Sequence, residues 1–257
     1  MPTVSVIVPV YQADEYIDEC LASIKAQDYK DYELIVVDDP QGSGAAVARN
    51  RGLARAKGKY VMFVDADDYL APGAIGKIIN AIHGVDMVCG SFRKFGDFDA
   101  VVRGSDRSME MAELAGYVMD NLAHPMNYQM LSGCWAKLYR MDMVSTFPHL
   151  ATAEDMAFNY TYLRRCDSVR FLSDIVYHNR KHKGSLTTTF DPTNRDGLFC
   201  FLEGLKRVKA FLLKHYSTDE VEKAIDNSKV YHSMLYYMRI CEQEGGSMRY
   251  VLKRLYQ

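Results

Sequence analysis

Three groups of carboxylates and one basic run carry the residue types from which a phosphate- and metal-handling site could be built. Asp65-Ala66-Asp67-Asp68 puts three acids within four residues, and these repel one another unless a cation or solvent compensates. In an extended turn Asp65 and Asp67 point the same way. Hard oxygens so placed suit Mg2+ or Mn2+, which take much of their shell from water and substrate phosphates. The plain alternative is a solvated acidic turn before Pro72, and an isolated D-x-D triplet favours that alternative. Asp38-Asp39 forms a second acidic pair, able to accept hydrogen bonds from ribose hydroxyls or a base N–H. Glu154-Asp155 opens a helix-like segment, where acids also serve simply as partners of the helix dipole. His178-Asn-Arg-Lys-His-Lys183 is the densest basic segment. Arg180 or Lys183 could neutralise a diphosphate, and His178 or His182 could complete a metal shell; a solvated basic loop is the bland reading.

The elements around these residues decide between the readings. Val4-Ser-Val-Ile-Val8 is a β-branched run stopped by Pro9, and Ile17, Cys20, Leu21 and Ile24 follow at helical spacing. Leu34-Ile-Val-Val37 reads as a strand covered on both faces. Ser43 is placed to cap a helix running to about Ala56, with Gly58 ending it. Tyr60 to Val64 reads as a buried strand that delivers Asp65 at its carboxyl end. Pro72 suits the first turn of a helix whose apolar face is Ile75, Ile78, Ile79 and Ile82. Met87-Val-Cys89 reads as the next strand, 91–106 as a hairpin, Met111 to Leu122 as a helix, and Glu154 to Arg165 as another. Val169 to Leu172 and Ile175 to Tyr177 read as two short strands. Repeated strand–helix–strand units imply an α/β fold with a doubly wound, mostly parallel sheet, and ligands in such sheets sit at the carboxyl ends of the strands. Both acidic pairs lie there. After Asp191-Pro192 the pattern turns to long helices. The expected organisation is a catalytic domain over 1–190, with halves of about 1–90 and 91–190, and a helical extension over 191–257.

Bulk properties narrow the function. A formal charge of −2 excludes a general nucleic-acid binder. No apolar run approaches the ~20 residues of a membrane span. The six cysteines are scattered, with no C-x-x-C pair, which suits reduced buried thiols in a cytoplasmic protein better than a zinc or disulfide framework. Peripheral attachment to an inner membrane face and a homodimer both stay open.

Four motifs then occur in order: Ser5-Val-Ile-Val-Pro-Val-Tyr11, Glu33-Leu-Ile-Val-Val-Asp-Asp39, Ala48-Arg-Asn-Arg-Gly52 and Gly58-Lys-Tyr-Val-Met-Phe-Val-Asp-Ala-Asp-Asp68. Trp135-Ala-Lys-Leu-Tyr-Arg140, Ala153-Glu-Asp-Met-Ala-Phe158 and Tyr177 through Ser185 continue the match. Together they resemble the family-2 glycosyltransferases over roughly three quarters of the chain. The resemblance implies a GT-A-like fold and inverting transfer from a nucleotide sugar, usually a UDP-sugar, onto an acceptor hydroxyl. It places Pro9, Val10, Tyr11, Asp39 and Arg49 at the nucleotide, with Asp39 accepting from the base. It places Asp65 and Asp67 at the ribose and metal–diphosphate site, and makes Asp155 the catalytic base. The implied partners are Mn2+ or Mg2+, a nucleotide-sugar donor and a saccharide or lipid-linked saccharide acceptor, with cell-surface polysaccharide assembly as the setting.

One departure stands out. Family members typically carry a helix and strand between the Asp-Asp pair and Ala-Arg-Asn, whereas here Pro40-Gln-Gly-Ser-Gly44 joins them directly. The join leaves open a non-catalytic relic that still docks a nucleotide. It also creates Gly42-Ser-Gly44-Ala-Ala-Val47, which imitates a dinucleotide fingerprint with Asp65 about 20 residues on, although Val47 stands where the third glycine belongs. The Gln-x-x-Arg-Trp pattern of processive members is absent, so single addition is expected. Trp135 could stack on a sugar, but a lone tryptophan is more often core. The helical stripe Tyr231, Leu235, Tyr236 and Met238 reads first as packing and second as a membrane approach.

Overall fold

The computed structural model describes residues 1–97, 99–124, 130–150, 152–182 and 196–243, with side chains from 200 to 233 in the last segment. Lys183, Ser185 and the side chains of Leu235, Tyr236 and Met238 lie outside the described residues.

Nine strands form one sheet among the described residues: β1 (Val4–Val10), β2 (Tyr32–Asp38), β3 (Tyr60–Phe63), β4 (Tyr69–Leu70), β5 (Met87–Gly96), β6 (Ala100–Val102), β7 (Ser108–Glu110), β8 (Lys137–Arg140) and β9 (Ser168–Lys181). Their order is β2-β1-β3-β8-β5-β9-β4, with β6 on β5 and β7 on β9. β1 runs parallel to β2 and β3, and β5 parallel to β9. β8 sits antiparallel between β3 and β5. The helices are α1 (Ile17–Lys25), α2 (Ala45–Leu53), α3 (Ala74–Ala81), α4 (Met111–Ala123), α5 (Glu154–Leu163), α6 (Asp196–Leu212) and α7 (Thr218–Gln243).

The apolar spacing read from the chain becomes the core. Ile75, Ile78, Ile79 and Ile82 are all buried, as are Cys20 and Ile24 of α1 and Leu114, Val118 and Leu122 of α4. The hairpin expected over 91–106 forms from β5 and β6. α6 packs on α5, and α7 on α4 and α6. Their buried residues Leu205, Phe211, Val221 and Ile225 join the same core as the sheet.

Three local readings are corrected. β2 is not covered on both faces: it is the edge strand, with Ile35 and Val37 buried while Leu34 and Val36 are half-exposed. Among the described residues no strand pairs with its outer side, because the chain passes from β2 straight to α2. The helix expected from Ser43 begins at Ala45, and Gly44 precedes it with φ +100° and no side-chain cap of its own. The two short strands over 169–177 are one strand, β9, whose register against β5 shifts between Cys89 and Phe92. A register shift breaks the two-residue alternation that would otherwise reveal one continuous strand.

Candidate active site

The carboxyl ends of β1, β2 and β3 point one way, and the residues that follow them form the site. Pro9 and Val10 end β1 half-exposed, and the Tyr11 ring, 49% exposed, follows. The tight packing of α2 over β1 depends on Gly52, where a Cβ would fall 2.4 Å from Ile7 Cγ2. That close approach brings the preceding residues of α2 under the acidic loops.

Arg49 is the centre of the arrangement. It is 4% exposed, and its Nη1 donates to Glu154 Oε1 at 2.9 Å and to Asp155 Oδ1 at 2.8 Å. Its Nη2 donates to Asp65 Oδ1 at 2.9 Å. One guanidinium thus ties the loop after β3 to the start of α5, with Asp155 lying 106 residues beyond Arg49 in the chain. Arg49 also lies over the Phe147 ring, 5.4 Å from its centroid. Beneath it Phe147 stacks on Phe158 at 4.0 Å, and both meet Phe63 edge-on. Such pairs contribute ~0.5–1.5 kcal/mol each beyond area burial and hold α5 against β3. Asn50, next in the chain, donates to Phe147 O at 3.0 Å and accepts from Phe147 N at 2.8 Å. Asp155 Oδ2 accepts from Cys134 N at 3.2 Å. Lys137, buried, donates to Gly133 O at 2.6 Å and so fixes the turn that presents Cys134. Two alanines bordering the site, Ala136 and Ala153, take positive φ of 55° and 60°, a conformation costing L-residues ~1–2 kcal/mol. Ala153 directly precedes Glu154.

Asp65 and Asp67 do not lie in the extended turn expected of them. The turn closes through Asp68 N donating to Asp65 O at 3.1 Å, and each carboxylate finds separate partners. Asp65 takes Arg49. Asp67 Oδ2 lies 3.1 Å from His182 Nε2. Asp68 is buried and accepts from Tyr177 Oη at 2.7 Å, Asn179 Nδ2 at 2.9 Å and Arg180 N at 2.6 Å. Arg180 donates from Nε to Asp67 O at 2.9 Å, pairs with Glu19, and lies between the rings of Tyr16 and Phe95. His178 stacks on Tyr69 at 4.5 Å, with its Nδ1 buried and unpartnered. Three residues lie between it and His182, an extended span of ~13 Å, and it is His182 that stands beside Asp67. Trp135 stacks on Tyr177 and meets Phe92 edge-on, so its faces serve packing.

The electrostatics follow from one buried cation among several acids. Burial pushes the Glu154 carboxyl up to about 7, helped by Asp155 and opposed by Arg49. Burial likewise raises Asp155 against the pull of Arg49. Asp67 and Asp68 are raised by burial and by their acidic neighbours. Glu154 therefore keeps its proton in the fold up to about pH 7, against 4.5 for the free side chain. The native state binds the extra proton in that window. Stability from this group is complete below the lower value and is lost as pH rises through the higher one. Glu154→Gln, which mimics the neutral acid, is expected to flatten the fall in thermal midpoint of the metal-free protein over that range. An unchanged profile would assign the raised acidity to another carboxylate.

Asn50, Lys137, Tyr177 and Asn179 support the site without having been singled out from the sequence as ligand or catalytic groups, and Glu154, read there only as part of an acidic pair, shares Arg49 with Asp155. Each lies inside a quoted motif, which is the signal that could have found it. The dinucleotide reading loses its anchor: the Gly44 N–H, which would have faced a pyrophosphate, donates to Asp39 Oδ2 at 3.2 Å.

The model of glycosyl transferase family 2 matches residues 5–41 and 39–142, two pieces that meet at the shortened turn. EpsJ of Bacillus subtilis, an uncharacterized glycosyltransferase, is 27% identical over 222 aligned residues, covering 73% of this chain and 63% of its own length. The chain thus spans less than two thirds of that relative. EpsH of the same organism, a putative glycosyltransferase, is 25% identical, covering 95% of this chain and 79% of its own. Among solved structures, Staphylococcus aureus TarS 1–349 in complex with UDP-GlcNAc aligns with a TM-score of 0.67 at 22% identity, over 89% of this chain and 71% of TarS. The mannosyltransferase PcManGT of Pyrobaculum calidifontis, in complex with GDP-Man and Mn2+, aligns at 0.53 and 17%, over 99% and 79%. At these identities the structures speak to the fold, a GT-A-like α/β architecture. With the family model matching more than half of its length, the chain belongs to glycosyl transferase family 2.

Proposed function

We propose that this chain moves a sugar from a nucleoside diphosphate sugar, with UDP-sugars as the first class, onto an acceptor hydroxyl with inversion at the anomeric carbon. The observation that carries this reading is the convergence of Asp65, Glu154 and Asp155 on the buried Arg49 at the carboxyl end of the parallel strands. Asp155 takes the acceptor proton as the hydroxyl attacks in line. Its oxygens are oriented by Arg49 and Cys134 N, and burial keeps it basic enough to accept. Asp65 sits beside the ribose and diphosphate, and Arg180 adds positive charge next to Asp67.

The residues fit a divalent cation. Asp67 Oδ2 and His182 Nε2 are 3.1 Å apart, close to the ~3.0 Å edge between adjacent ligands at ~2.1 Å bonds in an octahedron. Among the described residues no three His, Cys, Asp or Glu groups gather as a metal cage. The rest of the shell then falls to water and diphosphate oxygens, the usual pattern for Mg2+ and Mn2+. When bound, such an ion offsets the charge of the departing nucleoside diphosphate. PcManGT, with GDP-Man and Mn2+, supports this by likeness of fold.

The acceptor class we propose is a saccharide, free or lipid-linked, in cell-surface polysaccharide assembly. Among the described residues no helix is long and apolar enough to cross a membrane. Calorimetric titration of UDP with and without Mn2+ tests the donor site. Mn2+ should strengthen UDP binding by roughly tenfold or more, and Asp67→Ala should abolish that gain. Binding indifferent to Mn2+ would remove the metal–diphosphate reading. Intact binding without turnover on any acceptor would favour the relic.

A further inference from the structure

Residues 130–136 lie outside the helices and strands, yet they carry the N–H that meets Asp155. Backbone groups buried without a ladder need other partners, and here buried side chains of α5 and β8 supply them. Asn159 is wholly buried, and its Nδ2 donates to Leu131 O at 2.8 Å and to Gly133 O at 3.0 Å. Tyr139 Oη, also buried, lies 2.7 Å from Asn159 Oδ1 and 3.1 Å from Cys134 O, and its one hydrogen is shared between them. Lys137 Nζ, already on Gly133 O, also donates to Trp135 O at 3.3 Å. The carbonyls of Leu131, Gly133, Cys134 and Trp135 are thus all held from inside. Gly133 lets the chain fold this tightly, since a Cβ there would fall 2.4 Å from Trp135 Cε2.

Asn159 stands one helical turn beyond Asp155 on α5, so the two share a face of the helix. α5 therefore grips the segment twice. Asp155 Oδ2 accepts from Cys134 N at 3.2 Å, and Asn159 holds the carbonyls of Leu131 and Gly133 just before it. The consequence concerns the aim of the carboxylate. The torsion that turns a carboxylate about its own axis is soft, and Arg49 engages it at Oδ1. The Cys134 N–H, with the thiol of the same residue beside it, is the second point of attachment that fixes its plane. That point holds only while the segment keeps its shape, and a misplacement of about 1 Å costs about 100-fold in rate.

We infer that Asn159, with Tyr139 behind it, is a positioning residue for proton transfer: it acts through residues 131–135 to fix the plane of the Asp155 carboxylate. This rests on the reading of Asp155 as the base. It extends the site to two buried side chains that touch neither substrate nor metal.

Two variants test it: Asn159→Ala removes the whole amide, and Tyr139→Phe removes a single oxygen and decides the matter should the first not fold. One readout needs no substrate. In the NMR spectrum of the isotope-labelled, nucleotide-free protein, the Cys134 amide proton should follow the ionisation of Asp155 with pH, a step that Asp155→Asn removes. Asn159→Ala should abolish that step and Tyr139→Phe should reduce it. An undiminished step in the folded variants would overturn the inference. The other readout is UDP release from UDP-glucose and UDP-GlcNAc with Mn2+. Asn159→Ala should lower kcat roughly 10- to 100-fold and Tyr139→Phe roughly threefold to tenfold, with Mn2+-dependent UDP binding unaltered. Placed on Asp155→Asn, neither change should lower the residual rate further. An equal proportional loss on both backgrounds would assign the two residues to folding alone and overturn the inference. Near-normal turnover in Asp155→Asn would instead strike the base reading, and the positioning role would fall with it.

Discussion

Arg49→Met is expected to lower the unfolding free energy by about 3–5 kcal/mol, the cost of leaving buried charges without their partner. The guanidinium meets three carboxylates at 2.8–2.9 Å while itself almost wholly buried. Methionine fills similar space, so a cavity is not the cause of the loss. Without the cation, Asp65, Glu154 and Asp155 repel one another, and the fold relieves this by binding protons. The destabilisation should therefore be larger at pH 8 than at about pH 5, a dependence that altered packing alone would not produce. Arg49→Lys should fall between, because one ammonium keeps the charge but not the planar fork that spans two elements. Urea unfolding at the two pH values measures all of this. A loss under about 1 kcal/mol at both would mean that solvent screens the cluster and that Arg49 is no clamp.

The second large effect concerns turnover. Asp155→Asn should reduce kcat by about 10²–10⁴-fold, the usual worth of a positioned general base, while Mn2+-dependent UDP binding stays close to that of the unaltered protein. Asparagine preserves an oxygen for Arg49 Nη1 or Cys134 N but accepts no proton. The direction of the Asp155 shift adds a pH signature. Burial raises this acid above the ordinary aspartate range, so the rate should fall on the acid side at a pH above that typical of an exposed aspartate. Near-normal turnover in Asp155→Asn would move the base elsewhere, with Glu154 next on the same nitrogen. A joint loss of turnover and UDP binding would instead indicate collapse of the Arg49 cluster.

The backbone pattern is legible in the chain because burial and period speak locally. The run from Val4 to Val8, the isoleucine face of α3 and the acids placed directly after β3 are statements about neighbours in sequence, and the folded core reproduces them. β2 is misleading for a reason of the same kind. Its apolar run is that of a covered strand, and no local feature reveals that it lies at the edge of the sheet. The register shift in β9 depends on its partner β5 and is equally silent in the chain.

The sequence by itself determined which chemistry is available: acids at the ends of parallel strands, a basic segment near the end of β9, and motifs whose order marks the family. The tertiary structure alone decided how the charges are shared. Arg49 reads as a nucleotide contact in the chain, and in the fold it sits beneath three acids drawn from two elements. Asp65, Asp67 and Asp68 read as one cluster and are dealt to Arg49, His182 and the Tyr177–Asn179 pair. Asp39 reads as an acid at a strand end, and in the fold it is buried and accepts from Gly44 N and Arg51. Side-chain type and spacing follow from the chain, but the partner of a buried charge is whichever opposite charge the packing brings within reach, and desolvation makes that long-range choice the decisive one.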